Sequence, residues 1–110
     1  MRRTLLASCG LLWSVGAFAG SLNGVVSGLV APDARPCLFF SIGGVPEADP
    51  VKPGWPWIAV RQTQNGYKEI YALLLSSKLS GIPIHVDTNG VATPECDGYV
   101  GTQHIYFAPP

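Results

Sequence analysis

The sequence is poor in charged residues, and this shortage excludes whole classes of partner. Only 13% of its 110 residues are charged, and its seven basic and seven acidic residues leave a net charge of zero. From Gly20 onwards, five basic and seven acidic residues give a net charge of −2. Nucleic-acid binding requires a clustered basic surface, so we expect no nucleic-acid partner. The sequence also has no basic amphipathic stretch of the kind that lies on membranes.

Motifs of enzymes and of cofactor sites are also absent. No serine lies in a G-x-S-x-G pattern, no H-E-x-x-H is present, and no glycine-rich loop ends in Lys-Ser or Lys-Thr. The two histidines, His85 and His104, stand at no zinc-ligand spacing from the cysteines. We therefore expect a non-enzymatic protein that carries no metal and no cofactor.

No apolar run reaches the roughly 20 residues of a membrane-spanning helix, but a shorter one begins the chain. Met1–Arg3 is basic, residues 4–18 are uncharged and mostly apolar, and Ala17-Phe18-Ala19 places small residues around a large one. This pattern predicts a cleavable secretory signal peptide over residues 1–19. The alternative is a lipobox at Leu6-Ala7-Ser8-Cys9, which leaves only about five apolar residues before the cut. We expect a secreted or periplasmic protein with no membrane anchor after cleavage.

Residues 20–110 are predicted to form one small domain, held by a disulfide. Removal of Cys9 with the signal leaves two cysteines, Cys37 and Cys96. An even pair in an exported protein predicts a disulfide, and two free buried thiols are the alternative. A domain of this size buries little apolar area, so such a bond would contribute much of its stability.

Hydrophobic patterning predicts a mainly β domain with one helix. The predicted elements are strands at 22–30, 37–42 and 57–61, a helix at 67–80, and strands at 82–87 and 99–107. Gly24 and Gly28 weaken the first strand or mark a bulge. The order β-β-β-α-β-β is that of a five-stranded OB-fold-like barrel.

The helix has the clearest pattern of these elements. Its predicted buried face is formed by apolar residues at helical spacing, namely Tyr67, Ile70, Tyr71, Leu74 and Leu75. Asn65 or Gly66 is expected to cap its start, and Gly81 is expected to follow its end.

Two segments are predicted to be irregular. Residues 43–56 contain four prolines and three glycines, which exclude a helix or an inner strand. Loops of this length are functional or disordered. Thr88-Asn89-Gly90 is typical of a turn.

Aromatic and polar residues supply the candidate ligand contacts. Trp55 and Trp57 flank Pro56, and a tryptophan ring can stack on the apolar face of a sugar while its N–H donates. The alternative is that Trp57 covers the core. His85 and Asp87 project from one face of a strand, as the start of a metal or acid–base site or as two polar residues on a solvated face. His104 has no partner in the pattern.

Several segments together resemble one family. They are Gly24-Val25-Val26, Trp57-Ile58-Ala59-Val60, the helical Tyr71-Ala72-Leu73-Leu74-Leu75, Ser80-Gly81-Ile82-Pro83-Ile84-His85-Val86, and Cys96 before a final hydrophobic strand. With the signal peptide, they resemble small exported bacterial proteins related to the binding (B) subunit of subtilase-type AB5 toxins. The resemblance implies an OB-fold, and in the toxin members it implies a pentameric ring that binds sialylated glycans.

That resemblance also directs attention to the start of the mature chain, where the toxin subunits contact sugar. Here Ser21 and Asn23 are the polar residues in that position, without a matching motif. The candidate ligand-binding residues are therefore Trp55, Trp57, Ser21 and Asn23. We expect a glycan as partner, and a protein of the bacterial envelope is the alternative; a homo-oligomer is a further hypothesis.

Overall fold

The computed structural model describes residues 20–32 and 35–108, and the predicted signal peptide at 1–19 lies outside them. The described residues form six strands, one α-helix and a short 3-10 turn. In chain order these are β1 Ser21–Gly24, β2 Val26–Val30, β3 Cys37–Ile42, β4 Ile58–Arg61, α1 Tyr67–Ser80, β5 Ile84–Ala92, the 3-10 turn Pro94–Cys96, and β6 Val100–Phe107. Within this part of the chain, no helix is both long enough and apolar enough to cross a membrane.

The strands form one mixed sheet in the order β1-β5-β6-β4-β3-β2. All neighbours are antiparallel except β4 and β6, which run parallel. The sheet is curled into a half-barrel. The predicted fold class, mainly β with a single helix, is confirmed, whereas the predicted number of five strands is wrong.

The sixth strand arises because the predicted first strand is divided at Gly24. β1 pairs with β5 through Leu22 and Val86, whereas β2 pairs with β3 through Leu29 and Phe40. Gly24 has a φ of 150°, a conformation that other residues rarely adopt. The chain bends there, so consecutive residues join opposite edges of the sheet.

Apolar side chains pack on both faces of the sheet. The inner core contains β-strand residues together with Leu74 of the helix; its fully buried side chains are Leu38, Phe40, Ile58, Val60, Leu74, Ile84 and Val86. A second group, which we call the outer cluster, lies on the opposite face and consists of Cys37, Phe39, Ala59 and Cys96 with Val30, Trp57 and Tyr99 against them. The predicted Cys37–Cys96 disulfide is present in this cluster, with a Cα–Cα distance of 5.8 Å.

The helix has the predicted bounds, but its buried face is rotated. Gly66 and Gly81 flank it in left-handed conformation, and the Gly81 N–H donates to the Ser77 carbonyl at 2.8 Å. Tyr71 and Leu75 were predicted to be buried, yet they are 38% and 37% exposed. The buried face of the helix instead includes Ser77, which is fully buried.

A hydrogen-bond bridge explains the burial of Ser77. Its hydroxyl accepts from the Val26 N–H at 3.1 Å and donates to the Ile82 carbonyl at 2.7 Å. The helix is therefore fastened to β2 through a polar residue on its inner face.

The proline-rich segment forms an ordered loop that is fastened to the sheet. Asp49 is 6% exposed, and its carboxylate accepts from the Thr88 hydroxyl at 2.8 Å and from the Val51 N–H at 3.0 Å. The predicted turn at Thr88-Asn89-Gly90 is wrong, because these residues continue β5 with a register shift between Thr88 and Ala92. The irregularity includes Gly90, whose φ of 70° departs from the extended conformation of a strand.

Candidate functional site

A concave pocket opens on the outer face of the sheet, and we call it the aromatic pocket. Its volume is about 220 Å³, and it is lined by Val30, Arg35, Phe39, Trp57 and Tyr99. Val30 ends β2, Phe39 lies in β3, and Trp57 directly precedes β4. Arg35 and Tyr99 come from the loops that precede β3 and β6. Two strands and three loop residues therefore converge on one cavity.

The disulfide fixes the walls of the aromatic pocket. Phe39 and Tyr99 meet edge to face, with ring centroids 5.5 Å apart and planes at 72°. Cys37 lies two residues before Phe39, and Cys96 lies three residues before Tyr99. The covalent bond therefore keeps the Tyr99 loop against β3, so the ring positions are set before any ligand binds.

Two cations lie at the rim of the aromatic pocket. The Arg35 guanidinium carbon is 4.6 Å from the centroid of the Phe39 ring, and the Lys52 ammonium is 4.1 Å from that of Tyr99. Arg35 also pairs with the Asp97 carboxylate, and Lys52 donates to the Asp97 carbonyl. Cations over aromatic faces supply hydrogen-bond donors beside apolar surface.

Trp57 lies against a glycine that leaves room for its ring. A Cβ atom on Gly28 would stand 2.9 Å from Cη2 of Trp57 and 2.7 Å from the Ser41 hydroxyl. The register shift between Val26 and Gly28 confirms the bulge that was predicted for this glycine. Gly28 therefore positions the indole, which is half-buried at the edge of the outer cluster.

The two candidate tryptophans are separated in the structure. Trp55 is 51% exposed and does not line the aromatic pocket. Its carbonyl accepts from the Ala48 N–H at 3.0 Å within the proline-rich loop. Of the pocket's lining residues, Trp57 is the one that the sequence proposed.

The other two candidates, Ser21 and Asn23, lie in a polar cluster on β1, β5 and β6. The Ser21 hydroxyl donates to the Asp87 carboxylate at 2.7 Å. The His85 ring reaches the same carboxylate through Nε2 at 2.8 Å and the Asn23 Oδ1 through Nδ1 at 2.8 Å. We use the name polar cluster for Ser21, Asn23, His85, Asp87, His104 and Tyr106.

The remaining members complete this surface. Tyr106 stacks on His85 with centroids 4.9 Å apart, and His104 Nδ1 is 3.8 Å from the Asp87 carboxylate. Both ring nitrogens of His85 are hydrogen-bonded within the cluster, Nδ1 to Asn23 and Nε2 to Asp87. Among the described residues, no three His, Cys, Asp or Glu side chains are placed to hold a metal ion. The polar cluster therefore fastens β1 to β5.

We expect Asp87→Asn to lower the melting temperature at neutral pH but to have little effect in acid. The Ser21 hydroxyl, followed by His85, lowers the pKa of the Asp87 carboxyl. Its carboxylate therefore stabilises the fold above the ordinary pKa of about 3.9, and this stabilisation is lost as the pH falls through the lowered pKa. Melting curves from about pH 2 to pH 8 measure it. An equal difference between variant and wild type at every pH would contradict this assignment.

The sequence did not propose Arg35, Phe39 or Tyr99. A signal was nonetheless available, because Phe39 and Tyr99 each lie within three residues of a predicted disulfide cysteine. With the disulfide taken as a distance restraint, the two aromatic rings would have been expected on one surface.

Comparisons of this chain with protein-family models, with curated proteins and with solved structures give no match in any of the three. The aromatic pocket and the polar cluster are therefore interpreted from their geometry, and the resemblance to toxin binding subunits stays a hypothesis.

Proposed function

We propose that this chain is an exported, non-enzymatic binding protein that holds a glycan in the aromatic pocket. The observation that carries the proposal is the convergence of Phe39, Trp57 and Tyr99 on one concave cavity with Arg35 at its edge. Sugars bind to such sites because aromatic rings cover their apolar faces while polar groups at the rim bond their hydroxyls.

The strand order supports an OB-fold as the finer description of the barrel. β1 and β2 can be taken as the two halves of one bent strand, which lie at opposite edges of the sheet. With this count the sheet has the strand order of a five-stranded barrel, in which the first strand pairs with β5 through one half and with β3 through the other. In OB-folds, the face of the second and third strands and the loops flanking it bind oligosaccharides and oligonucleotides. The corresponding strands here are β3 and β4, which contribute to the aromatic pocket through Phe39 and, directly before β4, Trp57. The net charge of −2 from Gly20 onwards favours an oligosaccharide over an oligonucleotide as the ligand.

Export and the absence of catalysis have separate support. The predicted signal peptide and the Cys37–Cys96 disulfide are both typical of proteins in oxidising compartments. His85 and Asp87 are hydrogen-bonded to each other and to β1, and this structural role supports the proposal of a non-enzymatic protein.

A glycan array probed with residues 20–110 tests the proposal, with the two tryptophans as a matched pair. We expect Trp57→Ala to weaken binding at least about 30-fold, because a tryptophan at the centre of a site contributes about 2 kcal/mol or more. Trp55→Ala should bind as wild type, since Trp55 lies outside the aromatic pocket. Melting temperatures of both variants show whether they are folded. If only Trp55→Ala lost binding, the glycan would bind outside the aromatic pocket and the proposed site would be wrong.

A second candidate function is a protein-interaction role in the bacterial envelope. Tyr71, Leu75 and Leu79 are spaced by four residues along α1 and are 38%, 37% and 76% exposed, so they form an apolar stripe. Exposed apolar surface of this kind marks contacts with proteins. An array on which the wild type binds no glycan would favour this role, and the native mass by light scattering would show whether the partner is a second copy.

A further inference from the structure

A second cavity, which we call the amide cleft, lies beside the aromatic pocket on the outer face. Its volume is about 270 Å³, and its polar lining consists mainly of Arg61, Gln64, Asn89 and Glu95. It continues into a shallower groove of about 580 Å³ that shares Arg61, Gln64 and Asn89. Planar amide, guanidinium and carboxylate groups, each with several donor or acceptor atoms, therefore dominate this surface.

Backbone contacts fix the orientation of both amides in the cleft. Oδ1 of Asn89 accepts from the Val91 N–H at 3.0 Å, so Nδ2 is left as a donor. Nε2 of Gln64 donates to the Thr102 carbonyl at 3.0 Å, so Oε1 is left as an acceptor. Among the described residues, these two remaining atoms have no hydrogen-bond partner. The cleft thus holds one oriented donor and one oriented acceptor.

Gly101 determines where the Asn89 amide lies. A Cβ atom on Gly101 would stand 2.7 Å from Nδ2 of Asn89, so the amide rests directly over the glycine backbone. Any larger residue at position 101 would displace it. The donor is therefore held from both sides, by the Val91 N–H and by the β6 backbone.

The charges in the amide cleft favour a neutral ligand. Nη1 of Arg61 is 3.6 Å from the Glu95 carboxylate, so the cation and the anion compensate each other. A phosphate or another polyanion would meet no excess of positive charge. A hydroxyl both donates and accepts, so it matches the Asn89 donor and the Gln64 acceptor together.

The amide cleft and the aromatic pocket are neighbours on the same face. Ala59 of the cleft pairs in register with Phe39 of the pocket, and Trp57 precedes Ala59 by two residues. Two residues along a strand span about 7 Å, and both Trp57 and Ala59 belong to the outer cluster. We infer that the amide cleft is a second saccharide subsite, so that the ligand is at least a disaccharide; this inference rests on the proposed function.

The test uses an array that prints each terminal sugar as a mono-, di- and trisaccharide. We expect the wild type to bind disaccharides at least tenfold better than monosaccharides. Asn89→Asp keeps the acceptor for Val91 but removes the donor, and should lower disaccharide binding about tenfold while leaving monosaccharide binding unchanged. Gly101→Ala should have the same effect without adding charge. Gln62→Glu adds the same charge at an exposed residue that lines neither cavity, and should bind as wild type.

The outcomes separate this inference from the function on which it rests. Disaccharide binding that is unchanged in both Asn89→Asp and Gly101→Ala would overturn the second subsite, while the loss caused by Trp57→Ala would still support the glycan site. Equal loss of mono- and disaccharide binding would overturn it as well. A wild-type protein that binds no saccharide of any length would overturn both the second subsite and the proposed glycan-binding function. Melting temperatures within a few degrees of wild type show that the variants are folded.

Discussion

Removal of the Cys37–Cys96 disulfide should destabilise the domain by about 4 kcal/mol. The bond joins residues separated by 59 positions, so the reduced unfolded chain gains the entropy of a large open loop. Each kcal/mol lowers the melting temperature of a domain of this size by about 4–8 °C, which gives a decrease on the order of 20 °C. Both cysteines are fully buried, so their removal also takes two side chains out of the packed outer cluster.

The measurement compares wild type with the Cys37→Ala, Cys96→Ala double variant, each with and without dithiothreitol. Reductant should shift the unfolding curve of the wild type alone, and the double variant serves as the control for other effects of the reagent. A loss of less than about 1 kcal/mol would mean that packing alone holds the outer cluster together. Because the bond also positions Phe39 and Tyr99, the reduced protein should bind glycan more weakly at temperatures where it remains folded.

Features that depend on neighbouring residues were predictable from the sequence. The helix over 67–80 is bounded by Gly66 and Gly81, and Gly81 adopts the left-handed conformation that commonly ends helices. The strand at 37–42 also has its predicted bounds. In each case, a few consecutive residues contain the whole signal.

Apart from the disulfide, features that depend on distant residues were not predictable from the sequence. Ser21 and Asn23 acquire their role from Asp87 and His85, which are more than sixty residues away and are brought near by the register of β1 on β5. Gly24 was recognised as a weak point in the predicted strand, but the local pattern does not indicate that β1 pairs with β5. The division of one predicted strand into two was not predicted for the same reason.

Tertiary contacts also override local preference at Thr88-Asn89-Gly90. These residue types favour a turn, but Thr88 accepts from the Gly20 N–H at 2.9 Å and donates to the buried Asp49 at 2.8 Å. Asn89 is held over Gly101. These bonds keep residues 88–90 in β5, where a turn was predicted. Asn89 lies in the amide cleft because the strand continues through it.

The bend that divides the first strand leads to the second large effect. Gly24→Ala should destabilise the domain by about 3 kcal/mol, from backbone strain and overpacking together. Gly24 has a φ of 150°, and a Cβ atom there would stand 2.6 Å from Cγ2 of the buried Ile42. The new methyl group therefore meets a packed side chain while the backbone is in a conformation that alanine disfavours.

Gly44→Ala is the control, because Gly44 also has a positive φ but its substitution creates no clash. Gly44 has a φ of 80°, and a methyl group added to it would have no other atom within 4 Å. Its substitution should therefore cost only about 1 kcal/mol. Denaturant unfolding measures both values, and equal losses would show that the contact with Ile42 is not what fixes the bend.

Since β1 contributes Ser21 to the polar cluster and β2 contributes Val30 to the aromatic pocket, Gly24 orients both surfaces at once. Glycan affinity should accordingly fall in Gly24→Ala and persist in Gly44→Ala.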